Sequence, residues 1–194
     1  MIAGVLLAAG GARRFGSQKL IAPFRGVPLV RHAAVTLASA TDQLIVVVGN
    51  GRERVRDALH GLSANFVENA AWADGLASSL RCGIAAVAPE VHAIIVALGD
   101  QPEIDPLVIR AVAARWRETR QPIVVTRYAD AQGHPTLFAR ELFGEIMGLT
   151  GDRGARRVID RVPERVGIVE VQGTMPKDID TALELSAADR HSLD

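Results

Sequence analysis

Short, almost wholly apolar runs alternate along this chain with longer segments in which apolar residues recur every three or four positions. The runs Ile2–Ala8, Leu44–Val48, Asn65–Val67, Ala93–Leu98, Ile123–Thr126 and Gly167–Val171 have the length of strands. Leu44–Val48 and Ala93–Leu98 lack alternating polar positions, as parallel strands covered on both faces do. The helical period predicts helices over Leu29–Ala40, Glu53–His60, Leu76–Val87, Pro106–Arg117 and Arg153–Arg161, with one more short helix after Asp180. Pro28 and Pro106 suit a first helical turn, where a missing N–H costs least, and Asp105 reads as an N-cap. Strand–helix alternation of this kind predicts a three-layer α/β/α domain. Gly133–Phe138 reads as an extra strand that interrupts the alternation, so the sheet is expected to be mixed and mostly parallel. No repeat, low-complexity stretch or linker divides the chain. The expectation is one domain over residues 1–188 and a loose tail over 189–194.

Composition narrows the function classes. Of 194 residues, 48% are apolar, enough for a sizeable core, and 22 acids balance 22 bases. Zero net charge argues against a general nucleic-acid coat or a polybasic membrane anchor. The longest uncharged apolar stretch, residues 2–12, is too short to span a bilayer, and no basic segment precedes it as in a signal peptide. One cysteine, Cys82, permits no internal disulfide and no thiolate metal cluster, which suits a reducing, cytoplasmic setting. Twenty of the bases are arginines. The only two lysines, Lys19 and Lys177, both fall within the candidate motifs below.

In an α/β sheet ligands gather at the carboxyl ends of the strands. The first strand runs into Leu7, Ala8, Ala9, Gly10 and Gly11, followed by Arg14, Gly16 and Lys19. Such a loop can turn its N–H groups toward an anion while Arg14 and Lys19 supply charge. It is not a P-loop: Gly11 and Gly16 have the spacing, but Ser17 stands where lysine is required. It is not a dinucleotide loop either. The G-x-G-x-x-G spacing is absent, and the second strand ends Val48-Gly49-Asn50 with no acid for a ribose. The loop's place after an N-terminal buried strand, with Arg14 and Lys19 at fixed offsets, favours a triphosphate cradle over a mobile Gly-rich turn with its arginines in solvent. The central strand Ala93–Leu98 delivers Asp100 at its carboxyl end, within Gly99-Asp100-Gln101-Pro102. One or two such carboxylates, with phosphate oxygens, are what holds Mg²⁺. Near the end of the chain, Asp178 and Asp180 stand two apart and face the same way if the segment is extended.

These motifs together resemble the MobA-like nucleotidyltransferases, and within that group the molybdenum cofactor cytidylyltransferases. The matching residues are Leu-Ala-Ala-Gly at positions 7–10, Arg14-Phe15-Gly16, Lys19-Leu20, Gly99-Asp100-Gln101-Pro102, Gly133-His134-Pro135 and Asp178-Ile179-Asp180-Thr181. The guanylyltransferase branch typically has Met where Gln101 stands. The chain departs from the family at Ala182, a frequent Pro, and at Glu184, a frequent Asp. The resemblance spans positions 6–185 in family order and implies a Rossmann-like nucleotidyltransferase fold.

The resemblance further implies that Asp178 or Asp180 completes a metal site with Asp100, and that Gly75 and Ser79 lie against the nucleotide base. It places Gln101, His134, Gly151, Asp152 and Arg156 around the acceptor. A turn of this type opening a helix is itself a fair anion site. Trp72 and Cys82 read as packing residues. His32, His60, His92 and His191 show no partner spacing. The implied reaction moves CMP from CTP to the phosphate of a molybdopterin-type cofactor with Mg²⁺, releasing pyrophosphate. A molybdoenzyme would receive the product. In this scheme the loop N–H groups, Arg14 and Lys19 stabilise the leaving pyrophosphate, while Asp100 holds the metal at the α-phosphate. Rivals remain. One uses GTP or another NTP, or a different phosphate acceptor. A second is a non-catalytic carrier of the cofactor, and a third is a nicotinamide-dependent reductase on a similar fold.

Overall fold

The computed structural model describes residues 1–10, 19–151 and 154–190. In chain order the elements are strand β1 (Ile2–Ala8), a small hairpin of β2 (Pro23–Phe24) and β3 (Val27–Pro28), and helix α1 (Leu29–Ala38). Then come β4 (Gln43–Val48), α2 (Arg52–Ala58), β5 (Asn65–Glu68), α3 (Leu76–Ala85), β6 (Ala93–Leu98) and α4 (Pro106–Thr119). The last part holds β7 (Ile123–Arg127), β8 (Gln132–Ala139), α5 (Phe143–Met147), α6 (Arg156–Arg161), β9 (Val166–Glu170) and α7 (Ala182–Arg190). Seven strands form one mixed sheet in the order β5-β4-β1-β6-β8-β7-β9. β1, β4, β5 and β6 run parallel, and β8 pairs antiparallel with both β6 and β7. β7 and β9 are again parallel.

Side-chain alternation along β1 shows how the layers arise. Ile2, Leu6 and Ala8 enter one core with α1, α2 and α4, through Leu37, Val55, Ile109 and Trp116. Ala3, Val5, Leu7 and Ala9 enter the other, with Leu80 and Ile84 of α3, Phe143 and Ile146 of α5, and Val158 of α6. Because both faces are covered, all seven β1 residues are buried and no polar position is tolerated there. Gly83 lets α3 press onto the sheet: a Cβ there would stand 2.6 Å from Val5 Cγ1. A third, small cluster joins Phe24 of the hairpin and Leu29 of α1 to Ile179, with Leu185 and Ala188 of α7 packed against it.

The strands and helices follow the apolar pattern, with shifts that have local causes. Helix α1 stops at Ala38 rather than Ala40, where Ser39 Oγ donates to the Thr36 carbonyl and Thr41 Oγ1 to that of Leu37. Helix α3 stops at Ala85 because the next amides tighten onto carbonyls three residues back. Helix α4 runs two residues further than expected and ends at Arg120 in the left-handed region, φ 56°. Helix α6 starts at Arg156 rather than Arg153, behind Gly154 at φ 52°. Pro28 is extended and precedes the first turn instead of occupying it. Asp105 caps α4 as expected, its Oδ1 accepting from Leu107 N at 2.7 Å. The hairpin and α5 had no signal in the periodicity, being too short to show one. Helix α7 runs through the start of the expected tail to Arg190.

Candidate functional site

The carboxyl ends of β1, β4 and β6 lie side by side in the sheet, so the segments leaving them meet. β1 leads through buried Ala9 to the exposed Gly10. Leu7 and Ala8 are buried, and the Leu7 carbonyl accepts from Gly99 N at 3.0 Å, which ties the exit of β6 to that of β1. Gly11, Arg14, Gly16 and Asp152 lie outside the described residues.

The chain is described again from Lys19, whose side chain is only 8% exposed. Lys19 Nζ donates to Asp100 Oδ2 at 2.8 Å and to Asp180 Oδ1 at 2.7 Å. Burial alone would lower the pKa of this ammonium. The charges and hydrogen bonds of Asp100 and Asp180 outweigh that effect and hold it above the ordinary lysine value. Asp100 is 26% exposed and Asp180 46% exposed, so the cluster opens toward solvent on its acidic side.

The segment carrying Asp178 and Asp180 is drawn onto the end of β6. Ile179 N donates to the Asp100 carbonyl at 3.1 Å, while the Ile179 side chain enters the cluster with Phe24 and Leu29. Burying the isoleucine between the two acids anchors both of them beside Asp100. They then take different partners: Asp180 meets Lys19, and Asp178 Oδ1 accepts from Gln101 Nε2 at 2.7 Å. Burial first, and the Asp100 charge second, push the Asp178 carboxyl above the usual carboxylate range.

A capping box holds the segment from its C-terminal side. Glu184 Oε2 accepts from the backbone N–H groups of Asp180 and Thr181, at 2.7 and 2.8 Å, and Thr181 Oγ1 accepts from Glu184 N at 3.1 Å. The T-x-x-E spacing of Thr181 and Glu184 was the available signal for this device. Lys177, beside the pair in sequence, is exposed.

On the other side of Gln101 lies a cavity of about 250 Å³. Its walls include Leu80, Val96 and Phe138, with Gln101, His134 and Arg156 among its polar residues. Burial holds the His134 imidazole below its ordinary pKa, and Nδ1 lies 3.3 Å from the Val96 carbonyl. Gly151 is exposed at φ 80°, and its carbonyl accepts from Ala77 N in the first turn of α3. The structure thus gathers Gln101, His134 and Arg156 around one cavity, whereas Gly151 supports α3 and does not line it.

Gly75 sits just before α3 at φ 96° and is partly exposed. Ser79 is buried and accepts at 3.0 Å from Asn69 Nδ2, which also reaches Ser78 at 2.8 Å. Asn69 had no signal in the sequence, and its role here is to fasten the end of β5 to α3. Trp72 packs its Cβ against the close approach of Gly49. Cys82 is partly rather than fully buried, its thiol donating to the Glu68 carbonyl at 3.3 Å. Among the described residues no group of three or more His, Cys, Asp and Glu stands close enough to hold a metal on its own. No described helix is long and apolar enough to cross a membrane.

The family model of the MobA-like NTP transferase domain matches residues 4–166. Nicotine blue oxidoreductase of Paenarthrobacter nicotinovorans is 29% identical over 95% of this chain and 94% of its own. A probable molybdenum cofactor guanylyltransferase of Natronomonas pharaonis is 32% identical over 58% of this chain and 55% of its own. The crystal structure of Rv0371c from Mycobacterium tuberculosis superposes with a TM-score of 0.88 at 34% identity, covering 97% of both chains. A second structure of Rv0371c is a complex with manganese; it superposes at 0.83 with 32% identity, over 97% of this chain and 98% of that one.

Proposed function

Because the chain belongs to the MobA-like NTP transferase family, an enzyme family of nucleotidyl transfer, we propose that it moves CMP from CTP to the phosphate of a molybdopterin-type cofactor. The observation that carries this reading is the convergence of Lys19, Asp100 and Asp180 at the carboxyl ends of β1 and β6. A cation and two carboxylates at that point suit a triphosphate and its counterion. The reading takes the protein to be a cytoplasmic enzyme that hands its product to a molybdoenzyme.

The residues fit a divalent cation. Asp100, Asp178 and Asp180 offer hard carboxylate oxygens, and the charges of Asp100 and Asp180 add to burial in raising the proton affinity of Asp178, a crowding that a cation would relieve. No three of the described acids stand close enough to hold a metal on their own, so Asp100 with Asp178 or Asp180 would hold the cation together with oxygens of the bound triphosphate. Manganese bound to Rv0371c supports the same reading. When bound, Mg²⁺ neutralises charge on the α-phosphate and the departing pyrophosphate.

This chain's residues do the positioning. Lys19 has two carboxylate partners and keeps its proton, so it offers a fixed positive charge to phosphate oxygens. Arg14 and the N–H groups from Gly10 to Gly16 would take the β- and γ-phosphates. Gly75 and Ser79 would face the base, and Leu7, Ala8 and Ala9 would back the nucleotide at the end of β1. Gln101, His134 and Arg156 are assigned to the acceptor through the cavity that they line, with Gly151 and Asp152 assigned to it from their place in the sequence before α6. The reaction needs no protein nucleophile: an acceptor phosphate oxygen attacks the α-phosphorus in line, and pyrophosphate leaves. Cytidine over guanosine rests on Gln101, where the guanylyl branch typically has Met.

A second reading, a nicotinamide-dependent reductase, is favoured by the nearly full-length similarity to a protein named as an oxidoreductase, nicotine blue oxidoreductase. The exit of β4 opposes it, since Gly49-Asn50 provides no acid for the ribose of the dinucleotide. Pyrophosphate release measured with each NTP, with and without molybdopterin and Mg²⁺, separates the readings. The proposal expects release with CTP that depends on the acceptor and the metal. Release with GTP alone reassigns the donor. No release with any NTP, accompanied by acceptor-dependent oxidation of NADH or NADPH, replaces transfer by the reductase reading. Binding of the acceptor without either reaction leaves a carrier.

A further inference from the structure

The hairpin that follows Lys19 is closed by Arg25 and Gly26, between Phe24 of β2 and Val27 of β3. Both turn residues have positive φ, 48° and 81°, as the central pair of a type I′ turn does. Glycine and asparagine adopt that conformation readily, whereas an arginine does so against the steric preference of its Cβ. A residue held there against its own preference points to a use for its side chain.

Three contacts gather at Arg25. Its guanidinium lies 4.6 Å from the centre of the Phe24 ring. Nη2 donates to Glu103 Oε1, in the segment that leaves β6 and carries Asp100. The Arg25 backbone N–H donates at 2.7 Å to Asp189 Oδ1, in the helix that follows Asp180. Lys19 joins the same three stretches of chain through Asp100 and Asp180, and Arg25 joins them a second time. Phe24 shares one cluster with Ile179, against which Leu185 and Ala188 of α7 also pack. A shift of the hairpin therefore reaches the residue that stands between Asp178 and Asp180.

We infer that Arg25 is a positioning residue for the cation site: by clasping the hairpin to Glu103 and Asp189 it keeps Ile179 docked and Asp180 beside Asp100. The inference rests on the nucleotidyltransferase reading only for the part that the cation plays in the reaction. The Arg25 side chain is 36% exposed and that of Glu103 43%, so the clasp has the strength of one exposed ion pair. It acts on the geometry of the acids and adds little to global stability.

Arg25→Asn separates position from stability. It gives the turn the Asn-Gly pair that type I′ geometry favours, keeps the backbone N–H for Asp189, and removes the arm that reaches Glu103. The midpoint of thermal unfolding should be unchanged or higher. The Ile179 amide, bonded to the Asp100 carbonyl, should exchange its hydrogen about two- to fivefold faster, the size of one exposed ion pair. Mn²⁺ affinity, followed by electron paramagnetic resonance, should fall by a similar factor. Charge alone predicts the reverse, because deleting one cation near the acids favours another. Glu103→Gln leaves the turn untouched and should speed Ile179 exchange in the same way. A lowered midpoint in Arg25→Asn would assign Arg25 to the turn itself and overturn the inference. Unchanged Ile179 exchange in either variant, or equal or tighter Mn²⁺ binding in Arg25→Asn, would overturn it as well. Pyrophosphate release by the wild type keeps the two claims apart. Release with CTP but neither variant effect sinks the clasp alone, and both variant effects without release from any NTP sink the transfer reading alone.

Discussion

Lys19 Nζ stands 2.8 Å from Asp100 Oδ2, joining the start of the described chain after the first loop to the end of the central strand β6. Asp180 lies on the same ammonium at 2.7 Å, so one lysine gathers three distant segments. In a chain with twenty arginines and two lysines, the buried cation at this point is a lysine. Its compact head reaches two carboxylates from within a nearly closed slot, which a planar guanidinium fork fits poorly.

Lys19→Arg therefore keeps the charge and loses the geometry. The expected result is a fall in kcat/KM of at least about tenfold, since a misplaced phosphate contact weakens transition-state positioning. Steady-state pyrophosphate release compared with the wild type reads it. Full activity would show that the shape of the cation does not matter here.

Asp100→Asn removes a charge from the cation side while leaving a side chain of the same size. Turnover should drop by about two to three orders of magnitude, in line with the loss of one strong electrostatic group. The fold should persist, because Lys19 keeps Asp180 and the Asp100 backbone carbonyl still accepts from Ile179. Thermal unfolding run beside the activity assay distinguishes a damaged site from a damaged protein. Retained turnover would put the divalent cation elsewhere.

Thr181→Ala breaks the capping box that fixes the backbone beside Asp180. Loss of an N-cap threonine costs about 1 kcal/mol. Helix α7 should fray, and Mn²⁺ affinity, followed by electron paramagnetic resonance, should weaken with it. Unchanged Mn²⁺ binding would separate α7 from the site.

Acid should destabilise the fold through His134. Burial depresses its pKa in the folded protein below the ordinary value of 6.5, so the unfolded chain binds the proton more readily. The stabilisation is complete above about pH 6.5 and is lost as pH falls from there through the folded value. The midpoint of thermal unfolding should fall over that window in the wild type and fall less in His134→Gln. Parallel curves would assign the acid sensitivity to other groups.

The layers were legible because β1, β6 and, after Gln43, β4 are apolar throughout, a pattern that only two-sided burial demands. Asp105 was legible because capping is local and the next residue is Pro106. The site was legible as a set of positions and only partly as an arrangement. Asp178 and Asp180 share a spacing that puts them on one side of an extended segment, yet they bond to Gln101 and Lys19, more than 70 residues away. Those pairings depend on where the buried Ile179 docks, a tertiary fact with no periodic trace. Asn69 is harder still: a lone polar residue at a strand end looks like any loop residue until Ser78 and Ser79 are brought against it.

The central claim, transfer of a nucleotidyl group to an acceptor, is tested most directly by following the α-phosphate itself. CTP labelled at that phosphorus is incubated with the protein, Mg²⁺ and molybdopterin, and the products are separated. The account predicts that the label moves into a molybdopterin–cytidine adduct, with one pyrophosphate released for each label transferred. Label that stays in CTP, or appears only as free CMP, would contradict it.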